Sequence, residues 1–234
     1  MQGVAPHQGE LWRLPIGQIT GGWARGNPRK NASRTIWGKN RRRIWDRGQT
    51  KMRVVSGIYR GQSLAAPEGL AVRPTSERAR AAMADALTHR FGGGFEGARI
   101  LDLFAGTGAV GLEFLSRGAA FACFVESDAT ARDALVHNLR RVPAQAHKII
   151  PGDARDMSAY HQLGPFDLVF LDPPYGEGLL PGLLKQLGAV SLLKSDAILV
   201  AESDAKDPPP EDIDGLNFLE SRRYGRNLLS YYSA

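Results

Sequence analysis

The chain carries a single cysteine, Cys123, in 234 residues. One thiol excludes an intramolecular disulfide framework and a cysteine-cluster zinc site. The five histidines are scattered without ligand spacing, so no metal is expected. No apolar run approaches the roughly 18 residues of a membrane span. No stretch combines a charged n-region, an apolar h-region and a cleavage site. Internal repeats and low-complexity arrays are absent as well. The expectation is a cytoplasmic protein without membrane association. Apolar residues make up 43%, enough for a core, which argues against wholesale disorder.

Two scarcities divide the chain. Tryptophan is missing beyond Trp45; all four tryptophans lie in residues 1–51. Acid is scarce in the same stretch, which holds 11 Lys and Arg against 2 Asp and Glu, a net of +9. Residues 52–234 hold 19 against 22, a net of −3, so the overall +6 belongs to the first fifth of the chain. Residues 1–51 have no helical or strand period and are broken by Gly21-Gly22 and Gly26-Asn27-Pro28. They are expected to be a basic, disordered extension. Three readings stay open: an RNA-holding arm, in which cations pair with phosphates and indoles stack on bases; a solvated tail; or an over-extended start, with Met52 as the natural first residue. The length then resolves into the extension 1–51, a hairpin and helix over 52–97, and a main domain over 98–234.

From Met52 the pattern is regular. A short hairpin is predicted from 54–58 and 62–65 around Arg60-Gly61. Pro74 followed by Thr75 or Ser76 opens a helix to about Arg90, with Ala79, Met83, Ala86 and Leu87 on one face. Strands are predicted over 99–103, 121–126, 148–150, 166–171 and 197–201. Helices are predicted over 109–117, 129–141, 154–162 and 178–187. Short apolar strands with helical crossovers mean an α/β fold, a parallel sheet with helices on both faces. The acidic, proline-rich stretch 204–214 is read as a loop, followed by a closing hairpin over 217–224 and 227–232.

Gly106, Gly108 and Gly111 satisfy G-x-G-x-x-G between the first main strand and its helix, and Glu126 ends the next strand. A turn of this kind cradles a nucleotide, with the acid placed to hold a ribose. Asp102 tilts the reading from a dinucleotide to S-adenosylmethionine. A carboxylate where the strand emerges suits an ammonium group and is awkward beside a pyrophosphate. Its alternative role is charge compensation at the following helix N-terminus. Asp153 could accept from the adenine amino group or could cap a helix. Phe104 and Ala154 complete the expected cofactor set.

Strand 166–171 runs into Asp172-Pro173-Pro174-Tyr175. Two prolines fix φ and donate no N–H, so their carbonyls can face a site. Asp172 offers acceptors at the strand's C-terminal edge, where open α/β sheets bind ligands. Tyr175 offers a ring on which a base can stack. Together they suit an exocyclic amine, held by Asp172 and the Pro173 carbonyl with its lone pair toward a methyl donor. Cys123, mid-strand among apolar residues, reads as packing.

With these motifs in hand, the chain resembles the class I S-adenosylmethionine-dependent amino-group methyltransferases. Over Met52 to Ala234 it resembles the bacterial 16S rRNA guanine-N2 methyltransferases. The diagnostic pieces are Arg53-Val-Val-Ser-Gly-Ile-Tyr-Arg-Gly61, Arg73-Pro-Thr-Ser-Glu-Arg-Ala-Arg80, Val200-Ala-Glu-Ser203 and the closing hairpin. The resemblance implies a Rossmann-like sheet of seven strands with the last antiparallel, and methylation of one guanine N2 in 16S rRNA. It implies that the segment 73–78 packs beside the cofactor, with Thr75 toward its carboxylate end. Glu126 matches a ribose ligand, Asp153 an adenine-side acid, and Asp172 to Tyr175 the target-amine pocket. The expected partner is 16S rRNA or the small-subunit particle, bound by a monomer. Arg53, Arg60, Arg73, Arg78 and Arg80, with Arg222, Arg223 and Arg226 in the last hairpin, are the expected phosphate contacts. Competing functions are DNA adenine-N6 methylation, protein glutamine methylation, and a non-catalytic RNA-binding module.

Overall fold

The computed structural model describes residues 52–67 and 75–234. The extension 1–51, with its three readings, and Arg73 and Pro74 lie outside the described residues.

Strand β1 (Arg99–Leu103) is followed by α2 (Ala109–Ser116), β2 (Phe121–Glu126), α3 (Ala129–Leu139), β3 (His147–Pro151) and β4 (Phe166–Leu171). Then come α4 (Leu179–Ala189), β5 (Leu193–Asp204), the two-residue β6 (Asp212–Ile213), β7 (Leu216–Tyr224) and β8 (Asn227–Ser233). Helix α1 (Glu77–Arg90) precedes them all. Among the described residues the sheet has eight strands in the order β3-β2-β1-β4-β5-β8-β7-β6. The first five in that order run parallel, and β8 enters antiparallel between β5 and β7. The expected seven-stranded plan is present with β6 added at the edge.

Side chains of a strand alternate between faces, and two cores result. Ile100, Phe124, Phe170 and Val200 face α1, α2 and α3, packing with Leu87, Phe114 and Leu135. Leu101, Cys123, Val169 and Leu199 face the other way, onto Leu183, Leu184 and Leu187 of α4. Cys123 is buried there, consistent with packing. Met52, Val54, Leu64 and Met83 belong to the first core, so the N-terminal segment and the sheet share one interior.

Four local expectations need correcting. The predicted hairpin over 54–58 and 62–65 is not a pair of strands; a single bridge joins Arg53 to Ser63. Val54 and Leu64 donate across it, to the Gln62 and Met52 carbonyls at 3.0 and 2.9 Å, but from Val55 on the chain turns to α2: Val55 and Ser56 donate to the Glu113 carboxylate at 2.8 and 3.0 Å, and Ile58 donates to the Ser116 carbonyl at 2.8 Å. Gly57, at φ +80°, makes the turn; a Cβ there would lie 1.7 Å from that carbonyl oxygen. The predicted helix over 154–162 is two 3-10 turns, Met157–Ala159 and His161–Leu163. Asp153 and Asp156 each accept the amide two residues on, from Arg155 and Ser158, in place of helical pairing. Helix α1 does begin after Ser76, whose hydroxyl accepts from the Ala79 amide, but Ala86 is only half-buried and Arg80 and Ala84 fill the inner face. Arg80 is therefore no phosphate contact. It is fully buried and donates to the carbonyls of Thr75 and Arg53 at 2.7 and 2.8 Å.

Candidate active site

The C-terminal ends of β1, β2, β4 and β5 converge on one edge of the sheet. On the β1–β2 side the loop after β1 turns through Phe104 at φ +62° and through Gly106 and Gly108 at φ +54° and +76°. Left-handed backbone is open to glycine but strained for a bulky residue, and such strain gathers at ligand sites. Nothing in the sequence singled out Phe104 for this strain. A Cβ on Gly111 would come within 2.3 Å of the Phe124 ring, so that position needs glycine for packing.

The acids of this side are fixed by backbone amides. Asp102 is buried and accepts from the Gly111 N–H at 2.9 Å, so it does compensate the α2 N-terminus. Burial pushes its carboxyl up to about 8, opposed by that hydrogen bond and assisted by the charge of Glu126. Glu126 accepts from the Gly106 N–H at 2.7 Å and from the Asp128 N–H at 2.8 Å. Asp153 caps no helix. Hydrogen bonds from the Arg155 side chain and amide hold its carboxyl down at about 2. Phe104, Val125, Asp153, Ala154 and Pro174 line a cavity of about 260 Å³.

The β4–β5 side is built differently. Asp172 follows β4, its N–H donating to the Leu103 carbonyl at 3.4 Å. Burial raises its carboxyl well above the usual carboxylate range, and the charges of Glu202 and Asp102 add to that. Pro173, Pro174 and Tyr175 lead away along the wall of a second cavity of about 340 Å³, closed opposite by Glu202, Asp204 and Pro208. Tyr175 is 44% exposed. Its hydroxyl donates to Glu202 at 3.3 Å, and burial together with neighbouring carboxylates raises the phenol's pKa. Pro174 and Leu179 line both cavities and so separate them.

The fold thus brings Phe104, Gly106, Glu126, Asp153 and Ala154 to one side of Pro174, and Tyr175 to the other. Thr75 is buried, and its hydroxyl donates to Glu202 at 2.6 Å, which groups it with the Tyr175 side. Arg78 is exposed on the first turn of α1. Arg53 and Arg60 are exposed too, but the turn 57–61 sits on the far end of α2, about 12 Å from the glycine loop for eight residues. Arg53 also pairs with Glu77. Arg222 pairs with Glu220, Arg226 with Asp204, and Arg223 donates to the Gly225 carbonyl. Glu202 is the site member that the sequence does not reveal: it lies in Val200-Ala-Glu-Ser203, but nothing local marks its partners Thr75, Tyr175 and Asn227.

The donor set fits S-adenosylmethionine. Carboxylates at Asp102 and Glu126 suit an ammonium and a ribose, the cavity wall at Phe104 and Pro174 suits a flat base, and Gly106 leaves room for a close approach, whereas a Cβ on Gly108 would meet the Leu135 side chain at 2.3 Å. Among the described residues there is no His, Cys, Asp and Glu cluster that could hold a metal ion, and no helix long and apolar enough to cross a membrane.

Comparison with known proteins agrees with this geometry. A family model described as conserved hypothetical protein 95 matches residues 52–233. Ribosomal RNA small subunit methyltransferase D of Escherichia coli (strain K12) is 34% identical over 164 residues, 70% of this chain and 80% of that protein. Its namesake in Haemophilus influenzae is 29% identical over 77% of this chain and 92% of that one. The solved structure of a hypothetical protein of Thermus thermophilus superposes with a TM-score of 0.64 at 31% identity, covering 77% of this chain and 98% of that one. With nearly all of residues 52–234 inside the matched span, the chain belongs to the conserved hypothetical protein 95 family and has a class I methyltransferase fold.

Proposed function

We propose that the protein transfers a methyl group from S-adenosylmethionine to the exocyclic N2 of a guanine in 16S rRNA, in the cytoplasm. The observation that carries the reading is the position of Pro174. The cavity beside Phe104 and the Tyr175 cavity share Pro174 and, behind it, Leu179 in their walls, so a cofactor in the first and a base in the second would face each other across the Asp172 corner. The relatives named for ribosomal RNA small subunit methylation support the substrate class.

Bound there, S-adenosylmethionine supplies an electrophilic methyl on a sulfonium. The chain's residues do the rest. Asp102 meets the ammonium, Glu126 the ribose hydroxyls, and Phe104 and Pro174 the adenine. An amine conjugated with a base ring is a poor nucleophile, so its orientation matters most. Asp172 and the Pro173 carbonyl accept its two N–H groups and aim the nitrogen lone pair. Such alignment supplies roughly 7–11 kcal/mol in favourable cases. Tyr175 stacks on the base and holds it out of the RNA. Asp172 then takes the proton that the methylated nitrogen sheds; its raised pKa suits it to accept one near neutral pH.

The test is transfer of labelled methyl from S-adenosylmethionine to naked 16S rRNA and to small-subunit particles, with the product nucleoside identified by mass spectrometry. N2-methylguanosine is expected. N6-methyladenine, or no incorporation into either substrate, would overturn the reading.

A further inference from the structure

Glu202 has had no chemical part so far, yet its setting is unusual. It is fully buried, at 0% exposure. Leu171 of β4 pairs with Ala201 of β5, so the chain leaves β4 at Asp172 beside Glu202 of β5. Val200 faces the α1–α2 side, and Glu202, two residues on in the same strand, faces it too; the charges of Glu202 and of Asp102 both act on Asp172 there. Three side chains from separate parts of the chain converge on Glu202. The Thr75 hydroxyl donates to Oε2, and the Tyr175 hydroxyl and the Asn227 amide donate to Oε1. None of these donors is a cation.

The surrounding charges are unbalanced. Asp102 faces the pair from β1, and Tyr175 and Asp204 lie beside it on the β4–α4 loop and on β5. From α1 the one cation acting on Glu202 is Arg80, whose guanidinium donates to the Thr75 and Arg53 carbonyls and is shared with Glu77 and Glu113. Asn227 contributes no charge from β8. Two enclosed carboxylates side by side do not both ionise.

Resting on the methyl-transfer reading, we propose that Asp172 and Glu202 form a carboxylate pair that holds one proton between them, with Glu202 the positioning residue that keeps Asp172 ready to accept the second. The balance is simple. The amine lone pair forms the N–C bond as the C–S bond breaks and the sulfonium becomes a neutral thioether. The nitrogen gives its proton to Asp172, and the pair passes from one negative charge to none. One proton leaves to water when product departs. Direction agrees on both members: burial raises Glu202, and burial with the charge of Glu202 raises Asp172.

Two measurements on the full chain test this. The first is the pH profile of methyl transfer for the wild type, Glu202→Gln and Glu202→Asp, with cofactor binding and melting followed alongside. With one proton already shared, the acid limb reports uptake of the second, and sharing keeps that limb low; beside Gln, Asp172 titrates alone in its buried site. The acid limb of Glu202→Gln is expected to move to higher pH by about one unit, a tenfold displacement, and Glu202→Asp to keep the wild-type limb. A rate lowered equally at every pH, with the limb unmoved, overturns the pair. The second needs no substitution at Glu202. Carbon-13 carboxyl NMR of the wild type, assigned against Asp172→Asn, is expected to show one member titrating well above the usual carboxylate range. Two ordinary titrations overturn the proposal even if Glu202→Gln does not fold. A wild type that methylates nothing would instead sink the methyl-transfer reading and leave the NMR result to stand alone.

Discussion

The two halves of the site use the same side chain in opposite ways. On the glycine-loop half, Asp102 and Glu126 are held by backbone N–H groups of Gly111, Gly106 and Asp128. On the Tyr175 half, Glu202 is held by side chains, those of Thr75, Tyr175 and Asn227. Backbone donors come with the loop, so the first half is a property of a short stretch of chain. Side-chain donors must be delivered by separate elements, so the second half exists only when α1, the β4–α4 loop and β8 are docked together. The first half resembles a fixed cradle, and the second an assembled one.

Substitutions can break this contrast. The largest expected effect is at Asp172. Replacement by Asn is expected to lower methyl transfer by at least about 10²-fold, the scale of a lost proton acceptor, while calorimetric affinity for S-adenosylmethionine is retained. Full turnover would mean that the assembled half does no chemistry.

The next effect lies at Asp102 and depends on pH. Its folded value of about 8 lies above the unfolded value near 3.9. The unfolded state therefore releases its proton first, and the free protein's stability falls as pH rises from about 4 to about 8. A bound ammonium favours the ionised form, so cofactor affinity is expected to rise between pH 6 and 7.5, by up to about tenfold per unit. Asp102→Asn should flatten both curves, melting and calorimetry being the measurements. Unchanged slopes would take Asp102 out of the cofactor's reach.

Tyr175→Ala should act on the other partner. The RNA KM is expected to rise by the equivalent of about 1–3 kcal/mol of base stacking, with cofactor affinity constant. Equal losses for both ligands would erase the division between halves. The smallest effect belongs to Arg78, exposed on the first turn of α1. Arg78→Ala should weaken RNA binding mildly and reduce the slope of log affinity against log salt by about one; an unchanged slope would place the RNA backbone elsewhere.

The contrast also explains what could be read from the sequence. The parallel strands, the glycine turn and Asp172 to Tyr175 are carried by short contiguous patterns, and each appears where its pattern put it. The Glu202 cluster spans 127 residues from Thr75 and 25 to Asn227, and no local spacing announces it. The stretch 154–162 failed for the reverse reason. Its composition reads as helix, but Asp153 and Asp156 offered their own neighbours' amides a nearer acceptor. The hairpin around Arg60-Gly61 pairs only over 52–54 and 62–64, because residues 55–59 turn to the end of α2, out of view to any hairpin rule.

That last contact sets where the protein can be shortened. Glu113 is 1% exposed, and its carboxylate is shared among the Val55 and Ser56 amides and Arg117. A fragment beginning at residue 98 would look like a complete nucleotide-binding domain by its strands and helices. It would nonetheless leave that acid facing a vacated groove with two of its three donors gone, and would open the core that Met52, Val54 and Leu64 close. The opening segment is therefore a wall of the main domain rather than an attachment to it, and any shortening past Val55 removes an amide donor to Glu113.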